Sequence, residues 1–166
     1  MRIISGWFAI QVASRLEHSV LQHLDYKGYQ TYLPTCQSKR KWSDRIKVLE
    51  LPLFPNYVFC RSVAASAGLV LTIPGTIRLV GSNGRPSTIP DDEIEAIRRI
   101  CASSRPAIPV PYMHAGQKVR IAAGPLAGIV GTLSRIRNDH RLIITLQPIM
   151  RSIAVEVGIS DIVMAN

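Results

Sequence analysis

A stretch of positive charge around one tryptophan is the part of this sequence best suited to bind a ligand. Its members are Lys39, Arg40, Lys41, Trp42, Arg45 and Lys47. The cations can neutralise phosphates with salt-sensitive affinity, and an indole face can stack on an unpaired base. The pattern therefore indicates a nucleic-acid site. A solvated loop in which Trp42 covers the edge of a core explains the same residues equally well.

The acids, histidines and glycines of this sequence lack the neighbouring residues that catalysis or phosphate binding would need. The acids within 91–95 cluster at a predicted helix start, and no histidine has a spaced cysteine, aspartate or second histidine. Gly124, Gly128 and Gly131 suggest a phosphate loop, but no Gly-Lys-Ser/Thr follows and the segment leads into a strand. We therefore expect no catalytic residue, no metal and no cofactor, and so not an enzyme.

Composition limits the class of protein. The 166 residues are 47% hydrophobic and 19% charged, which supplies a core and does not fit global disorder. The net charge of +9 is consistent with a phosphate-facing surface or with ordinary solvation. Three isolated cysteines favour a reducing cytosol, and no apolar run is long enough for a membrane span. We expect a cytoplasmic monomer.

The elements that must position the basic stretch alternate between strand and helix patterns. Residues 7–12 predict a strand, and the S-x-x-E pattern of Ser14 and Glu17 predicts a capping box at a helix start. Gly28 stands where that helix should end. The basic stretch itself is expected to form an extended hairpin or a mobile loop, and residues 56–61 the next strand.

The second half of the chain changes character at a run of prolines. A helix before it is predicted to turn Ile94, Ile97 and Cys101 inward. The three prolines within 106–111 favour an extended, semi-rigid linker, which places a domain boundary there. In residues 112–166, short apolar runs separated by turn residues predict the four or five strands of a small barrel.

Several motifs, taken in order, resemble the NusG family of transcription elongation factors. These motifs are WFAIQV at 7–12, PLFPNYVFCR at 52–61, IPGTIRLVG at 73–81, PSTIPDDEIEAI at 86–97 and VRIAAGPLAGIVGTL at 119–133. The resemblance implies an α+β chain. It places a NusG-type α/β sandwich, an antiparallel sheet flanked by helices, at 1–105, a proline-rich linker at 106–111, and an SH3-like β-barrel, the KOW domain, at 112–166.

Within that family, residues 39–59 resemble the WSDR-K stretch of the RfaH and UpxY type of specialised paralogue. This resemblance implies an antitermination factor that suppresses pausing and termination, at an operon of the polysaccharide type. The alternative is a general NusG-like elongation factor that couples RNA polymerase to Rho or the ribosome. In either case, the resemblance places the basic stretch near upstream or non-template DNA.

The resemblance also implies contacts with the clamp helices of the largest RNA polymerase subunit. The residues that would make them are Phe8, Phe54, Pro55 and Tyr57. From the residues alone, this aromatic group is explained either by core packing or by an apolar patch that holds a protein partner. The polymerase gate-loop contact of relatives falls near 64–68, where no threonine occurs, and is not expected here.

For the KOW domain, the resemblance implies a motif turn at Gly124 and Gly128. It also implies a partner surface, for a small-subunit ribosomal protein or Rho, at Ile149, Met150 and Arg151. Fold switching to a helical form is not expected, because residues 129–146 are rich in glycine, isoleucine, valine and threonine, which favour strands.

Overall fold

The structure is a computed structural model that describes residues 5–63, 67–113, 116–136 and 139–165. The chain begins with β1 (Ser5–Val12), α1 (Glu17–Tyr26), β2 (Gln30–Tyr32), β3 (Thr35–Lys41), β4 (Ile46–Pro52), β5 (Tyr57–Val63), α2 (Ala67–Val70), β6 (Thr76–Leu79), β7 (Gly81–Ser82) and β8 (Arg85–Pro86). It continues with β9 (Thr88–Ile89), α3 (Asp91–Ala102), β10 (Ala107–Val110), β11 (Gln117–Ile121), β12 (Val130–Ile136), β13 (Asp139–Leu146), β14 (Arg151–Glu156) and β15 (Ile162–Met164).

The described elements fall into two compact units. The first consists of residues 1–34 and 54–94, and the second of residues 35–53 and 95–166. This division differs from the expected bounds, because β3, β4 and most of α3 group with the carboxy-terminal strands. The position of the domain boundary at the prolines stays a prediction.

The first unit is built on an antiparallel sheet with the strand order β2-β5-β1-β6, in which β9 also pairs with β1. Its central strand, β1, is buried on both faces from Trp7 to Ile10, because alternate side chains point to opposite sides of the sheet. α1 turns Val20 and Leu24, four residues apart, into the core. The cluster there comprises Ile10, Val12, Val20, Leu24, Val58, Cys60, Val70 and Ile73.

The start of α1 differs from the predicted capping box. The N-cap residue is Leu16 and no side chain caps the helix. Instead the buried Glu17 carboxylate accepts a hydrogen bond from the backbone N–H of Asn56 at 2.9 Å. The carboxylate therefore accepts from a backbone donor in the turn before β5. This hydrogen bond takes the place of the one that a capping box would make at the start of α1. The prediction for the end of the helix is confirmed, since Gly28 has a φ of +83° and its N–H donates to the Asp25 carbonyl.

The inward face of α3 is formed by isoleucines. Ile94 and Ile97 are buried as predicted, but the third buried residue is Ile100, while Cys101 is half-buried. The larger aliphatic side chain buries more apolar area, so it takes the inward position. At the helix start, Asp91 forms an ion pair with Arg61 at 3.3 Å, which agrees with a structural role for these acids.

The second unit contains the β3–β4 hairpin and a six-stranded antiparallel sheet with the order β10-β14-β13-β12-β11-β15. The strands predicted within residues 129–146 are confirmed as β12 and β13. Residues 106–111, expected as a linker, contain β10, which pairs with β14. Pro109 is compatible with this strand because β10 lies at the edge of the sheet, where a missing N–H breaks no ladder.

Together these features confirm the α+β class, with a small β domain in the carboxy-terminal part. The longest helix that the structure describes, α3, has 12 residues, whereas a membrane span needs about 20, so no described helix could cross a bilayer.

Candidate nucleic-acid interface

The basic stretch forms a two-stranded ribbon, which we define as β3, β4 and the turn that joins them. Seven residue pairs run from Thr35 opposite Pro52 to Lys41 opposite Ile46. The turn is tight, because the N–H of Trp42 donates to the Arg45 carbonyl at 2.7 Å. The extended hairpin is therefore confirmed, and it fixes which side chains share a face.

The register divides the charged residues between two faces. Residues directly opposite each other point to the same side, and alternate residues to opposite sides. One side, the cationic face, carries Arg40, Trp42, Arg45 and Lys47. The other side, the mixed face, carries Lys39, Lys41, Ile46 and Val48. The sequence predicts one patch of six residues, but the structure distributes them over both faces.

The indole of Trp42 lies on the cationic face at the turn end of the ribbon. The Lys47 Nζ is 4.8 Å from the centroid of the indole ring, within the range of a cation–π contact. Trp42 remains 48% exposed, so much of the ring stays accessible to solvent. A half-exposed indole beside a cation can accept a stacked base, as in sites that bind single strands.

The ribbon carries an excess of positive charge, because its five cations outnumber its two carboxylates, Asp44 and Glu50. Arg40 lies directly opposite Lys47, and like charges in that position repel each other. Within the described residues, ion pairs join Arg61 to Asp91 and Arg105 to Asp161, and neither involves a ribbon cation. Residues 39–48 are all exposed. A polyanion would relieve this repulsion.

Two exposed apolar residues on the ribbon were missed by sequence analysis. Ile46 is 68% exposed and Val48 is 52% exposed, and both lie on the mixed face between lysines. The alternation Ile-Lys-Val at 46–48 was the available signal, since it predicts one charged and one apolar face. These residues give the mixed face a small apolar surface.

The aromatic residues predicted to contact polymerase lie mostly in the core. Phe8, Phe54 and Tyr57 are buried, and only Pro55 among the four is exposed. Phe54 packs edge-on against Phe59, with ring centroids 5.9 Å apart. In this structure the three aromatic side chains are not accessible to a partner, because their apolar area is already covered by the protein.

The turn that presents Pro55 is held by several hydrogen bonds. The Asn56 carbonyl accepts from the Val12 N–H at 2.8 Å, and the Asn56 N–H donates to the Glu17 carboxylate. Asn56 has a φ of 72°, which asparagine tolerates better than most residues. Pro55 is therefore exposed on a fixed turn.

The predicted features of the carboxy-terminal domain occupy two turns. Gly124 and Gly128 have φ values of +84° and +89°, which agrees with a turn that needs glycine. In the predicted partner surface, Ile149 is buried, whereas Met150 and Arg151 are exposed. Met150 has a φ of 49°, which turns the chain sharply before β14.

Among the described residues, three groups have a raised pKa, and one of them, Cys36, lies at the base of the ribbon in β3. Burial and the nearby Asp25 charge raise the pKa of Cys60 to about 11. Burial and Asp92 raise the pKa of Glu93, and burial and Cys101 raise the pKa of Cys36. Among the described residues, no three His, Cys, Asp or Glu side chains are grouped so that they could hold a metal ion. What the exposed part of the ribbon offers a ligand is therefore positive charge and one half-exposed indole.

Comparisons with known proteins relate most of the chain to one family. The family model "Transcription termination factor nusG" matches residues 5–98. The chain is 25% identical to a transcription termination/antitermination protein NusG of Vibrio vulnificus over 170 residues, covering 94% of this chain and 93% of that protein. It is 26% identical to the protein of the same name from Staphylococcus carnosus over 171 residues, with the same coverage. A solved structure of Thermotoga maritima NusG has a TM-score of 0.56 and 20% identity over 98% of both chains, which supports the fold.

Proposed function

Because the chain belongs to the NusG family, we propose that it binds elongating RNA polymerase and nearby DNA and thereby suppresses pausing and termination, without catalysis. The observation that carries this proposal is the ribbon, where exposed cations surround a half-exposed indole. The termination/antitermination names of the relatives support the same role.

The DNA contact that we propose for the ribbon involves an unpaired strand. Phosphates would contact the cations of both faces, and one base would stack on Trp42 next to Lys47. The displaced non-template strand, or upstream DNA near its junction, offers such unpaired bases. Stacking tolerates every base, so the ribbon supplies affinity rather than sequence preference.

The polymerase contact that we propose is centred on Pro55. Its exposure on a fixed turn supports a contact with the clamp helices, whereas Phe8, Phe54 and Tyr57 are buried and would act through packing alone. The variant Pro55→Glu should lose binding to a clamp-helix fragment in a pull-down. Tyr26→Ala, at a residue that is 93% exposed in α1, is the matched control and should bind like the wild type.

Two versions of this function remain to be separated. The resemblance of residues 39–59 to UpxY-like factors supports a specialised role at a polysaccharide-type operon. A general factor that couples polymerase to Rho or the ribosome is the alternative, and the KOW surface at Met150 and Arg151 would bind that partner. Deletion of the gene followed by transcript profiling distinguishes them: altered expression of one operon supports the specialised role, and broad changes support the general one.

The test of the proposed function is transcription by purified RNA polymerase on a template with a pause site and a terminator. The wild-type chain should increase read-through. A variant with three ribbon cations replaced should not: Lys39→Ala, Lys41→Ala and Arg45→Ala. The charge-matched control replaces three exposed cations outside the ribbon: Lys27→Ala, Arg85→Ala and Lys118→Ala. The proposal would be overturned if adding the wild-type chain left read-through unchanged. It would also be overturned if the ribbon variant and the control variant lost the increase equally.

A further inference from the structure

The second unit contains a cavity of about 530 Å³ where the base of the ribbon meets the end of α3. Cys36 and Lys39 line it from β3, and Cys101 and Ser103 line it from the end of the helix. Both cysteines are half-buried, whereas Cys60 is buried. Two cysteines that lie far apart in the sequence therefore line the same cavity.

The pKa of Cys36 also depends on Cys101. Burial raises the pKa of Cys36, and the negative charge of an ionised Cys101 raises it further. Because the interaction of two charges falls with their separation and is screened by solvent, this influence agrees with the position of both residues at one cavity.

We propose that Cys36 and Cys101 form an oxidation-sensitive pair that closes to an intramolecular disulfide and joins the base of the ribbon to α3. The oxidant would be a low-molecular-weight disulfide such as oxidised glutathione. One cysteine thiolate attacks it, forming a mixed disulfide and releasing one glutathione thiolate, which takes up the proton that the cysteine lost. The second cysteine then attacks the mixed disulfide and releases the second glutathione. Two protein thiols and one glutathione disulfide become one protein disulfide and two glutathione thiols.

Cys60 provides an internal reference for this reaction. It is buried in the first unit, and its pKa is raised to about 11. Because the thiolate is the attacking form, Cys60 should remain reduced under conditions in which the cavity pair reacts. The inference concerns thiol chemistry alone and does not depend on the proposed role in transcription.

The disulfide would restrict the ribbon at its base. Cys36 belongs to β3, and its partner in β4 is Leu51, so the bond would link this hairpin to the last turn of α3. The part of the ribbon beyond that link, residues 38–50, would keep the same pairing of β3 with β4. The expected structural result is a lower rate of proteolytic cleavage around α3 and the base of the ribbon, and unchanged cleavage elsewhere.

The experiment treats the full native chain with oxidised glutathione and then measures its intact mass. Closure of the pair lowers the mass by that of two hydrogen atoms, whereas mixed disulfides add the mass of glutathione. Trypsin then assigns the bond, since it separates the three cysteines into the peptides Gly28–Lys39, Val48–Arg61 and Ile100–Lys118. We expect the first and third of these peptides to be linked, and Cys60 to be alkylated only after denaturation.

Variants give the matched controls. Cys36→Ser and Cys101→Ser should each stop at one mixed disulfide on the remaining cavity cysteine, and Cys60→Ser should form the disulfide like the wild type. The assignment in the wild type requires no mutation, so a variant that fails to fold does not remove the test. Stable mixed disulfides on both cavity cysteines, a linked Cys60, or disulfide-bonded dimers would each overturn the proposal.

Discussion

Aromatic residues have opposite environments in β5 and in the ribbon. Tyr57 and Phe59 in β5 are buried, whereas Trp42 at the end of the ribbon is 48% exposed and contacts a lysine. Both segments contain aromatic residues that sequence alone makes candidates for binding a partner. The difference shows that an aromatic-rich motif can serve packing, while an indole that the fold leaves exposed among cations is available to a ligand.

Charged residues show the same contrast. Glu17 in the first unit is buried and accepts a hydrogen bond from the backbone of Asn56. The ribbon cations are exposed, and Arg40 and Lys47 oppose each other across the strands. Charge inside the first unit therefore stabilises a turn, whereas charge on the ribbon slightly destabilises the hairpin and favours an anionic partner.

The largest expected effect is on stability, and it distinguishes an aromatic residue that packs in the core from one that is available to a ligand. Phe59→Ala should lower the free energy of unfolding by about 3–5 kcal/mol, because it removes a fully buried ring and leaves a cavity. Trp42→Ala should change it by less than about 1 kcal/mol, since the ring is half exposed. Urea unfolding of the two variants measures both values, and similar losses would remove the distinction between the regions.

The next effect tests the buried carboxylate. Glu17→Ala should lower the free energy of unfolding by about 1.5–3 kcal/mol, because the Asn56 N–H loses a charged acceptor. Glu17→Gln keeps an acceptor oxygen and should lose less. Unfolding curves in urea provide the comparison. If alanine and glutamine cost the same, the hydrogen bond to Asn56 is not what stabilises the turn.

The next effect is on oligonucleotide binding, and it tests whether a base stacks on the exposed indole of Trp42. Trp42→Ala should weaken binding to a single-stranded oligonucleotide by about 1–3 kcal/mol, because one stacked base loses its platform. Trp42→Phe retains an aromatic face and should recover part of the affinity. Fluorescence anisotropy gives the dissociation constants. Equal affinity of the alanine variant and the wild type would exclude stacking at this residue.

The smallest expected effect concerns a partly buried charge in the first unit. Burial, and then the charge of Asp92, raises the pKa of Glu93, and its Oε2 has no hydrogen-bond partner within the described residues. The folded state therefore binds the proton more tightly than the unfolded state, so stability falls as the pH rises from the ordinary glutamate pKa through the raised one. Glu93→Gln should raise the melting temperature at about pH 7 more than at about pH 4. Thermal unfolding at both values checks this, and an equal shift would contradict it.

The fold was largely predictable because its signals are local. Alternating residues and turn glycines predict the end of α1 and the strands after residue 116, whereas the basic stretch could be expected only as a hairpin or a mobile loop. The role of Glu17 was not predictable, because the same glutamate fits a capping box and a hydrogen bond to Asn56. The sequence does not show that Asn56, 39 residues away, lies next to it. The strand β10 was missed because prolines favour a linker, and only the position at the sheet edge makes Pro109 acceptable.

The candidate site was predictable in composition but not in geometry. The six ribbon residues could be identified from charge and one indole, whereas the division into two faces needed the register of β3 with β4. Burial of Phe54 could not be inferred, since large aromatic side chains occur both in cores and at interfaces.

The central claim, that the ribbon is the nucleic-acid interface, is tested most directly by the salt dependence of binding to single-stranded DNA. Two variants remove equal charge, one from the ribbon (Lys39→Ala, Lys41→Ala, Arg45→Ala) and one from outside it (Lys27→Ala, Arg85→Ala, Lys118→Ala). The slope of log affinity against log salt should become shallower by about 2 for the ribbon variant and stay unchanged for the other. Equal slopes for both variants would contradict the claim.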